Sequence, residues 1–322
     1  MLLRAAPACI LVLSLFTMAP ARVAEGFIDF EIPALGKATK TWYKIIGELK
    51  PDVRPLIALH GGPGIYSGYL EILSDVTKGR PGPLIVYDQI GNGRSTHLPE
   101  KRGDTTFWTE HLFLGELNNL ITKLGIREYD LFGHSWGGML GARHASHQPP
   151  GLKHLVLMST PASMPLWVAG VNSLRDKLPG VIQDALDKGE KNGTEDSQEY
   201  QDAVVFFYSR HLIRIDPIPE AIAKGFEWIA TDPTVYLTMN GPNEFTITGS
   251  LKTWTIINKI HKIAVPTLVT TGGYDEAVDT TVAPFLEKLP QGKWVKFQNS
   301  SHMAHYEERA MFMKTVGNFL YS

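Results

Sequence analysis

A serine set between glycines carries the clearest chemical signal in the sequence. Ser135 lies in Gly133-His134-Ser135-Trp136-Gly137, directly after the apolar run 129–132 and directly before a stretch with helical periodicity. This is the G-x-S-x-G pattern in the order strand, sharp turn, helix, in which the serine hydroxyl projects from the edge of a sheet. Glycines are needed because a strained turn leaves no space for side chains beside the serine. The pattern predicts that Ser135 is a catalytic nucleophile; the alternative is a glycine-rich turn with an idle serine.

A base and an acid must accompany such a nucleophile. A hydroxyl attacks a carbonyl when a base removes its proton, and a carboxylate must hold that base in the correct tautomer. After a G-x-S-x-G turn the acid comes first in the chain and the histidine last. Asp275 follows the apolar run 266–270, and His302 follows the run 293–297. We therefore expect Asp275 to be the acid and His302 the base.

Neighbouring residues compete for these two roles. Glu276 and Asp279 are close enough in sequence to replace Asp275 as the acid. His305 comes three residues after His302, and we expect it to be an ordinary loop or helix histidine. The sequence alone leaves the choice among the three acids open.

A glycine-rich loop earlier in the chain can stabilise the negative charge that develops on the carbonyl oxygen. The segment His60-Gly61-Gly62-Pro63-Gly64 follows the apolar run 55–59. One backbone N–H of such a site comes from the residue after the nucleophile, here Trp136, and the other from this early loop. Pro63 has no N–H to donate. We predict that Gly62 and Trp136 form the oxyanion hole.

Patterns for metals and cofactors are incomplete. His144 with His147, and His302 with His305, could suggest a metal site, but neither pair has the H-E-x-x-H arrangement or a carboxylate that completes it in sequence. The segment 91–95 begins like a dinucleotide-binding loop, but a threonine occupies the third glycine position. We predict no metal, no cofactor and a structural role for this loop.

The elements that must position these residues alternate between strands and helices. Apolar runs bounded by turn residues predict strands at 55–59, 83–87, 129–132, 155–158, 266–270 and 293–297, and helical patterns lie at 108–124 and 136–147. This alternation indicates an α/β fold with a mostly parallel sheet and helices on both faces. Chemistry in such sheets collects at the carboxyl ends of the strands.

The alternation stops between the fourth and fifth of these strands. Helical patterns at 164–178 and 199–212 occupy the gap, and the polar stretch 188–200 indicates a solvated loop. We predict an inserted helical cap, which in such enzymes usually covers the active site and selects the substrate. The predicted organisation is a signal peptide at 1–21, a core at 27–160 and 250–322, and a helical cap at 161–249.

The amino-terminal residues read as a secretory signal. Arg4 supplies a positive start, the run 9–18 is apolar, and Ala19-Pro20-Ala21 offers small residues at cleavage spacing. The apolar run is too short for a hydrocarbon core that needs about 20 residues. We expect cleavage after Ala21 and a secreted protein that is not membrane-bound after processing. The sole cysteine, Cys9, would leave with this segment, so the mature protein would have no thiol or disulfide.

Composition and net charge limit the classes of substrate and partner that the protein can bind. The 322 residues are 43% hydrophobic and 20% charged, which suffices for one packed domain with an insertion. A formal net charge of -2 gives no basic footprint for phosphate, so we expect a small peptide or amino-acyl substrate and no nucleic acid. Two Asn-x-Ser/Thr sequons, at Asn192 and Asn299, are compatible with a secretory route.

Together these motifs resemble those of the prolyl iminopeptidases, serine peptidases of the α/β-hydrolase fold, and especially their tricorn-interacting aminopeptidase branch. The resemblance spans almost the whole chain after about Phe27, and its most specific part is the cap segment Met239–Gly249. The segments that carry it are His60–Gly64, Asp88–Ser95, the turn at Ser135, Met239–Gly249, Gly273–Glu276 and Ser301–Met303. The predicted signal peptide departs from the family's cytosolic members and leaves the compartment and the natural substrate open.

The resemblance implies a serine exopeptidase that releases the amino-terminal residue, proline or a broader set, from short peptides through an acyl-enzyme. It also implies that acidic residues hold the free amino terminus, at the positions of Glu244 in the cap and Glu276 beside Asp275. Two carboxylates would supply attraction and fix the amine at a set distance from the scissile carbonyl. Without that role, Glu244 would be a solvated cap acid and Glu276 an ordinary loop acid.

Other functions on the same fold remain to be weighed. An esterase, lactonase or amidase acting on small neutral acyl substrates could use the same triad, because site contacts decide the substrate. A dehalogenase or epoxide hydrolase would need an acidic nucleophile where Ser135 stands. A binding protein on a silenced hydrolase scaffold would normally have lost a triad member, and all three candidates are present.

Overall fold

A single eight-stranded sheet forms the centre of the computed structural model, which describes residues 22–321. The strands are β1 Val23–Asp29, β2 Lys40–Ile46, β3 Leu56–Leu59, β4 Leu84–Asp88, β5 Tyr129–His134, β6 Leu152–Met158, β7 Thr267–Gly272 and β8 Gly292–Phe297. Their order across the sheet is β1-β2-β4-β3-β5-β6-β7-β8. β1 pairs antiparallel with β2 and β2 with β4, while the other pairs are parallel. The prediction of a mostly parallel sheet is confirmed.

Helices cover both faces of the sheet and fill the segment between β6 and β7. They are α1 Ser74–Thr77, α2 Glu110–Lys123, α3 Trp136–Ser146, α4 Met164–Arg175, α5 Gly180–Asn192, α6 Gln198–His211, α7 Glu220–Thr231, α8 Thr234–Met239, α9 Asp279–Lys288, α10 Ala304–Glu307 and α11 Arg309–Leu320. Short 3-10 segments lie at Pro33–Leu35, Ser67–Leu73, Pro99–Lys101 and Ile260–Lys262.

Alternating residues of the central strands supply two hydrophobic cores. In β3, Ile57 and Leu59 pack into the core that contains residues of α2, α3 and α9, whereas Leu56 and Ala58 pack into the core that contains residues of α11. Successive side chains of a strand point to opposite faces, so a strand buried on both sides must be apolar throughout. This is why the central strands read as continuous apolar runs in the sequence.

The segment 161–249, which we call the cap segment, contains α4 to α8. The chain leaves and re-enters the core at one place, where Ser163 bridges to Thr255 and the Met164 N–H donates to the Trp254 carbonyl at 2.9 Å. Ser163 also begins α4, because its hydroxyl oxygen accepts the Leu166 N–H at 3.4 Å. The start of the cap segment is therefore bonded to the chain that follows the cap segment, at Trp254 and Thr255.

Two strands, β1 and β2, were not predicted from the sequence. β1 begins at Val23, before the predicted start of the core at residue 27, and β2 follows at Lys40. β1 is an edge strand and most of its residues are exposed. Because an edge strand needs no continuous apolar run, the pattern that identified the central strands is absent here.

The cap segment is more helical than predicted. The stretch 188–200 was expected to be a solvated loop, but α5 continues to Asn192 and α6 begins at Gln198. Ser197 caps α6 by accepting the Tyr200 N–H, and the polar residues lie on the outer faces of the two helices. The helices α7 and α8 were not predicted from the sequence, and the helix expected at 164–178 ends at Arg175.

The predicted signal peptide and Cys9 lie outside the described residues. Within residues 22–321, no helix combines the length and the apolar character needed to cross a membrane. Asn192 and Asn299 are both exposed, and their glycosylation stays a prediction.

Candidate active site

The turn between β5 and α3 holds Ser135 in a strained conformation. Its φ is 54° and its ψ is -120°, in the half of backbone space that L-residues seldom occupy. A Cβ on Gly133 would lie 2.4 Å from the Gly137 carbonyl oxygen, and one on Gly137 would lie 2.2 Å from that of Leu59. The two glycines therefore let three chain segments approach around the serine, which is the geometry of a nucleophile turn.

Asp275 and His302 come together from the carboxyl ends of β7 and β8. His302 Nδ1 lies 2.7 Å from Asp275 Oδ1, and both residues are buried. Asp275 Oδ2 accepts the Ser159 hydroxyl at 2.6 Å and the Gly272 N–H at 3.1 Å. The Ala277 N–H donates to Asp275 Oδ1 at 2.8 Å. These donors fix the position of the carboxylate, so it can orient His302 and leave Nε2 available.

The two rival acids are arranged differently. Glu276 Oε1 is 3.8 Å from His302 Nε2, on the side of the ring away from Asp275. Asp279 pairs at the surface with Lys296, at 2.7 Å. Among the three acids, Asp275 is the one that bonds His302 Nδ1.

Five of the predicted site residues line one cavity of about 280 Å³. Ser135, His302, Gly62, Glu244 and Glu276 all line it. A much smaller space of about 10 Å³ lies on the other side of Ser135 and includes Trp136 in its lining. The fold thus brings the predicted nucleophile, base, oxyanion-hole residues and amine-binding acids to the surroundings of the serine hydroxyl.

Two backbone N–H groups are available for an oxyanion. Trp136 is the first residue of α3, so its N–H has no acceptor within the helix. In the early loop the Gly61 N–H is already used, because it donates to the Tyr69 hydroxyl at 2.8 Å. Gly62 follows it and borders both spaces beside Ser135. Gly62 and Trp136 thus both lie beside Ser135, and their role as the oxyanion hole stays a prediction.

A tyrosine and a histidine connect three loops of the site. The Tyr69 oxygen, which accepts the Gly61 N–H, lies 2.7 Å from His134 Nδ1, and His134 Nε2 lies 3.1 Å from the His302 carbonyl oxygen. A carbonyl only accepts, so Nε2 carries the His134 proton and Tyr69 donates to Nδ1. Burial lowers the pKa of His134 well below its usual value and raises that of Tyr69, so both stay neutral. Every hydrogen bond in this chain therefore points the same way, from Gly61 to Tyr69, from Tyr69 to His134 and from His134 to the His302 carbonyl.

Glu244 and Glu276 form an acidic pair in the wall of the cavity. The Tyr236 hydroxyl donates to Glu244 Oε1 at 2.8 Å. Glu276 is 2% exposed, and its Oε2 has no hydrogen-bond partner among the residues that the structure describes. Burial raises the pKa of both groups, and the charges of Glu244 and Asp275 raise that of Glu276 further. A buried acceptor without a donor is suited to a cationic ligand.

His305 and the loop after β4, which the sequence also singled out, make packing and hydrogen-bond contacts outside the acid, base and nucleophile. His305 is fully buried behind the site against Tyr69 and His134, and burial with the nearby His302 lowers its pKa to about 3. Asp88, the last residue of β4, accepts the Ser67 hydroxyl and, from the loop that follows, the Arg94 N–H. Within residues 22–321, no group of three or more His, Cys, Asp or Glu side chains is arranged to hold a metal ion.

Some residues of the site were missed from the sequence. Gln89 follows β4 and its Oε1 accepts the Trp136 indole N–H at 2.9 Å, while Ser159 follows β6 and bonds Asp275. Both are polar residues just after a strand, so the signal that identified Asp275 could have found them. Tyr69 and Tyr236 lie in helical segments and had no such signal.

One further contact joins the cap segment to the catalytic loops. The His211 carbonyl, at the end of α6, accepts the N–H groups of Glu276 and His302, each at 3.2 Å. Carbonyls at a helix end lack partners within the helix. The loops that carry Glu276 and His302 are thus held together by the cap segment.

Comparison with known proteins gives consistent matches over most of the chain. The model of the alpha/beta hydrolase fold family matches residues 54–309. A proline iminopeptidase of Saccharolobus solfataricus is 38% identical over 281 residues, which cover 87% of this chain and 88% of the relative. Among solved structures, VinJ has a TM-score of 0.87 and 44% identity, and the proline iminopeptidase of Mycobacterium smegmatis has a TM-score of 0.83 and 38% identity. Each alignment covers 92% of this chain and 98% of the other.

Proposed function

Because the chain belongs to the proline iminopeptidase family, within the alpha/beta hydrolase fold, we propose that it is a serine aminopeptidase acting on short peptides. It would release the amino-terminal residue, proline or a broader set, through an acyl-enzyme. The family and the fold expected from the sequence are both confirmed. The observation that carries the proposal is the acidic pair Glu244 and Glu276, which lines the same cavity as Ser135 and His302.

The first half of the proposed reaction forms the acyl-enzyme. Ser135 Oγ attacks the scissile carbonyl carbon while His302 Nε2 takes its proton, and Asp275 stabilises the imidazolium. The carbonyl oxygen becomes an oxyanion, which accepts the N–H groups of Gly62 and Trp136. The intermediate collapses when the C–N bond breaks and His302 returns the proton to the leaving amine.

Hydrolysis of the acyl-enzyme completes the cycle. Water replaces the released amine, His302 takes one of its protons, and the resulting hydroxyl attacks the ester carbonyl. The second tetrahedral intermediate collapses to the free amino acid and to Ser135, which receives its proton back from His302. The sum of the two halves is one peptide bond hydrolysed by one water.

The acidic pair explains why the cut would fall after the first residue. An ammonium about 4 Å from a carboxylate interacts by about 4 kcal/mol at the effective dielectric typical near protein surfaces. The α-ammonium would also supply donors to Glu276 Oε2, which has no partner among the residues described. Since the amine is one carbon from the scissile carbonyl, a fixed amine fixes the bond that Ser135 attacks.

The esterase, lactonase or amidase alternative uses the same triad but gives the acidic pair no purpose. A neutral acyl substrate would leave two buried carboxyl groups without a cationic partner, which costs free energy. An aminopeptidase turns the same feature into substrate recognition.

A substrate panel tests the proposal. Prolyl and alanyl amides would be assayed with a free amine and with an acetylated amine, beside a simple uncharged ester. We expect the free-amine compounds to be cleaved at least tenfold faster than their acetylated forms, because acetylation removes the charge. Equal rates for the two forms would favour a general amidase or esterase, and no turnover of any compound would favour a binding protein.

We also propose that the chain is secreted after removal of a signal peptide that ends at Ala21. The support is the sequence pattern of a positive start, a short apolar run and small residues. Intact-mass analysis of protein from its native source should show a start at Arg22 and no reaction with thiol reagents. An amino terminus that still carries Cys9 would refute this.

A further inference from the structure

We propose that the cavity beside His302 is a pocket for the leaving group and that it selects substrates with a bulky, uncharged apolar group directly after the scissile bond. This rests on the proposed aminopeptidase function and names the substrate class more closely. Four features of the cavity carry the proposal: its position relative to the catalytic histidine, its walls, its charges and its volume.

The position follows from the chemistry of the histidine. The base that deprotonates Ser135 must next protonate the leaving amine, so the leaving group lies on the side of His302. His302 and Met303 line the large cavity and are not part of the lining of the small space. That small space, bordered by Trp136, Met139 and Trp167, lies on the other side of Ser135, toward the acyl part. Glu244 borders both spaces and Glu276 borders the large one, so the α-ammonium would lie where the two spaces meet.

The walls of the large cavity are apolar and come mainly from two cap helices. Residues spaced by four in the chain line it along α6 and at the residue after its end, and three residues of α7, at spacings of three and four, line it as well. Such spacing places each set on one face of its helix. The residues are Tyr200, Val204, Tyr208, Leu212, Phe226, Ile229 and Ala230. An entire helix face is thus directed at the space next to the leaving amine.

The charges in the wall exclude an anionic leaving group. Glu244 and Glu276 lie at the catalytic end and Glu195 also lines the cavity, whereas the lining formed by residues 22–321 contains no Lys or Arg. The free carboxylate of a dipeptide would therefore meet acidic side chains with no Lys or Arg to pair with, and like charges brought together cost binding energy. A longer or amidated peptide with an apolar second residue, or an apolar amine, avoids this repulsion.

The volume is sufficient for more than a small amine. At about 280 Å³ the cavity is near the lower end of the range of small-molecule pockets, about 300 Å³. The open space on the other side of Ser135, about 10 Å³, is far smaller. Most of the open space beside Ser135 therefore lies on the leaving-group side.

The experiment uses n-alkylamides of proline and of alanine with ethyl, butyl and hexyl chains. These amines have nearly the same basicity, so differences in kcat/KM report binding of the chain and not leaving-group chemistry. We expect kcat/KM to rise about fourfold for each added methylene until the cavity is filled, the increase that burial of a CH₂ group gives. Proline leucinamide should exceed the dipeptide Pro-Leu by at least tenfold.

Matched variants locate the effect. Ile229→Asn places a polar group in the cavity wall and should flatten the alkyl series, so that the ratio of hexylamide to ethylamide turnover falls. Val205→Asn is the control and should keep the parent ratio, because Val205 is 61% exposed and is not part of the cavity lining. Ala230→Trp, at an exposed position that borders the cavity, should lower the same ratio at least tenfold.

The outcomes separate this proposal from the one on which it rests. Turnover of the free-amine ethylamide with no gain along the series would overturn the leaving-group pocket and leave the aminopeptidase function standing. Failure to cleave any free-amine amide would overturn the function itself. If Ile229→Asn does not fold, the ratio of hexylamide to ethylamide turnover in Ala230→Trp decides, and an unchanged ratio refutes the pocket.

Discussion

The core and the cap segment contribute to the site in different ways. In the core, Ser135, Asp275 and His302 each follow a parallel strand and are held by backbone bonds or by a strained turn. The cap segment contributes Glu244 and the apolar faces of α6 and α7, which border open space. A rigid sheet suits a reaction that tolerates little displacement, and an inserted layer of helices suits a surface that varies with the substrate. Core variants should therefore affect all substrates alike, and cap variants should change the ratio between substrates.

Removing the nucleophile should have the largest effect. Ser135→Ala should lower kcat/KM by about 10⁴-fold or more for every substrate, peptide and ester alike, and leave at most the residual catalysis of binding and an oxyanion hole, about 10³ to 10⁴-fold over water. The measurement is steady-state kinetics on the substrate panel. Ser209→Ala, at an exposed serine of α6, is the control and should match the parent. Substantial activity in a folded Ser135→Ala protein would end the serine-hydrolase interpretation.

Removing the cap's carboxylate should have a smaller and selective effect. Glu244→Gln should lower kcat/KM for free-amine substrates by about 30-fold or more, because loss of one partner of a buried charged pair costs about 2 to 5 kcal/mol. Uncharged esters should be hardly affected. Free-amine and acetylated substrates would be compared in parent and variant.

Glu195, an acid of the cavity lining outside the acidic pair, provides the control for that variant. Glu195→Gln should change the ratio of free-amine to acetylated turnover less than threefold, since Glu195 is not part of the acidic pair. If Glu244→Gln left the ratio unchanged, the cap would not recognise the amine and the contrast between core and cap would fail.

The same contrast separates what the sequence could predict from what it could not. Asp275 and His302 were identifiable because each follows an apolar run, and in a parallel sheet those runs end at one edge. Glu244 lies in an irregular segment after α8, and only the resemblance to a known family singled it out. No periodic pattern marks such a position, because its place depends on how the cap packs on the core.

The walls of the large cavity show the same limit. The four-residue spacing of Tyr200, Val204, Tyr208 and Leu212 is visible in the sequence, but it reads as an ordinary buried helix face. Only the packed structure shows that this face borders a cavity beside His302. Similarly, the choice of Asp275 over Glu276 and Asp279 needed the distances to the histidine ring.

A positioning residue of the core should have a moderate effect on all substrates. Tyr69→Phe removes the hydroxyl that accepts the Gly61 N–H and donates to His134 Nδ1, and so leaves two buried polar groups without partners. We expect kcat to fall about tenfold with little change in KM, because the loops around Ser135 lose alignment in the transition state. The free-amine to acetylated ratio should stay at the parent value.

The control for this variant is Tyr43→Phe, which alters a tyrosine of β2 outside the site. It should leave both kinetic constants unchanged. A rise in KM with constant kcat for Tyr69→Phe would contradict a positioning role and indicate a direct contact with substrate.

The smallest expected effect on catalysis comes from a buried acid of the core that does not line the cavity. Glu116 is fully buried on α2, where it accepts the Thr41 hydroxyl and the Ile90 N–H. Burial raises its pKa to about 8, whereas in the unfolded chain it is near 4.5. Folding therefore favours the protonated form, and the stability that this group contributes is full below about pH 4.5 and is lost as the pH rises through about 8.

Glu116→Gln should remove that pH dependence, because the amide is neutral at every pH and its oxygen can accept both hydrogen bonds. The Tm of the variant should be close to that of the parent near pH 5 and should exceed it by several degrees near pH 8.5. Glu287→Gln, at an exposed position on α9, should instead follow the parent at both pH values. Thermal unfolding of the three proteins at the two pH values gives the comparison, and substrate ratios should be identical throughout. Parallel Tm curves for the parent and Glu116→Gln would show that Glu116 is already ionised in the folded core. The surroundings of Glu116 on α2 would then be better hydrated than the packing around the sheet indicates.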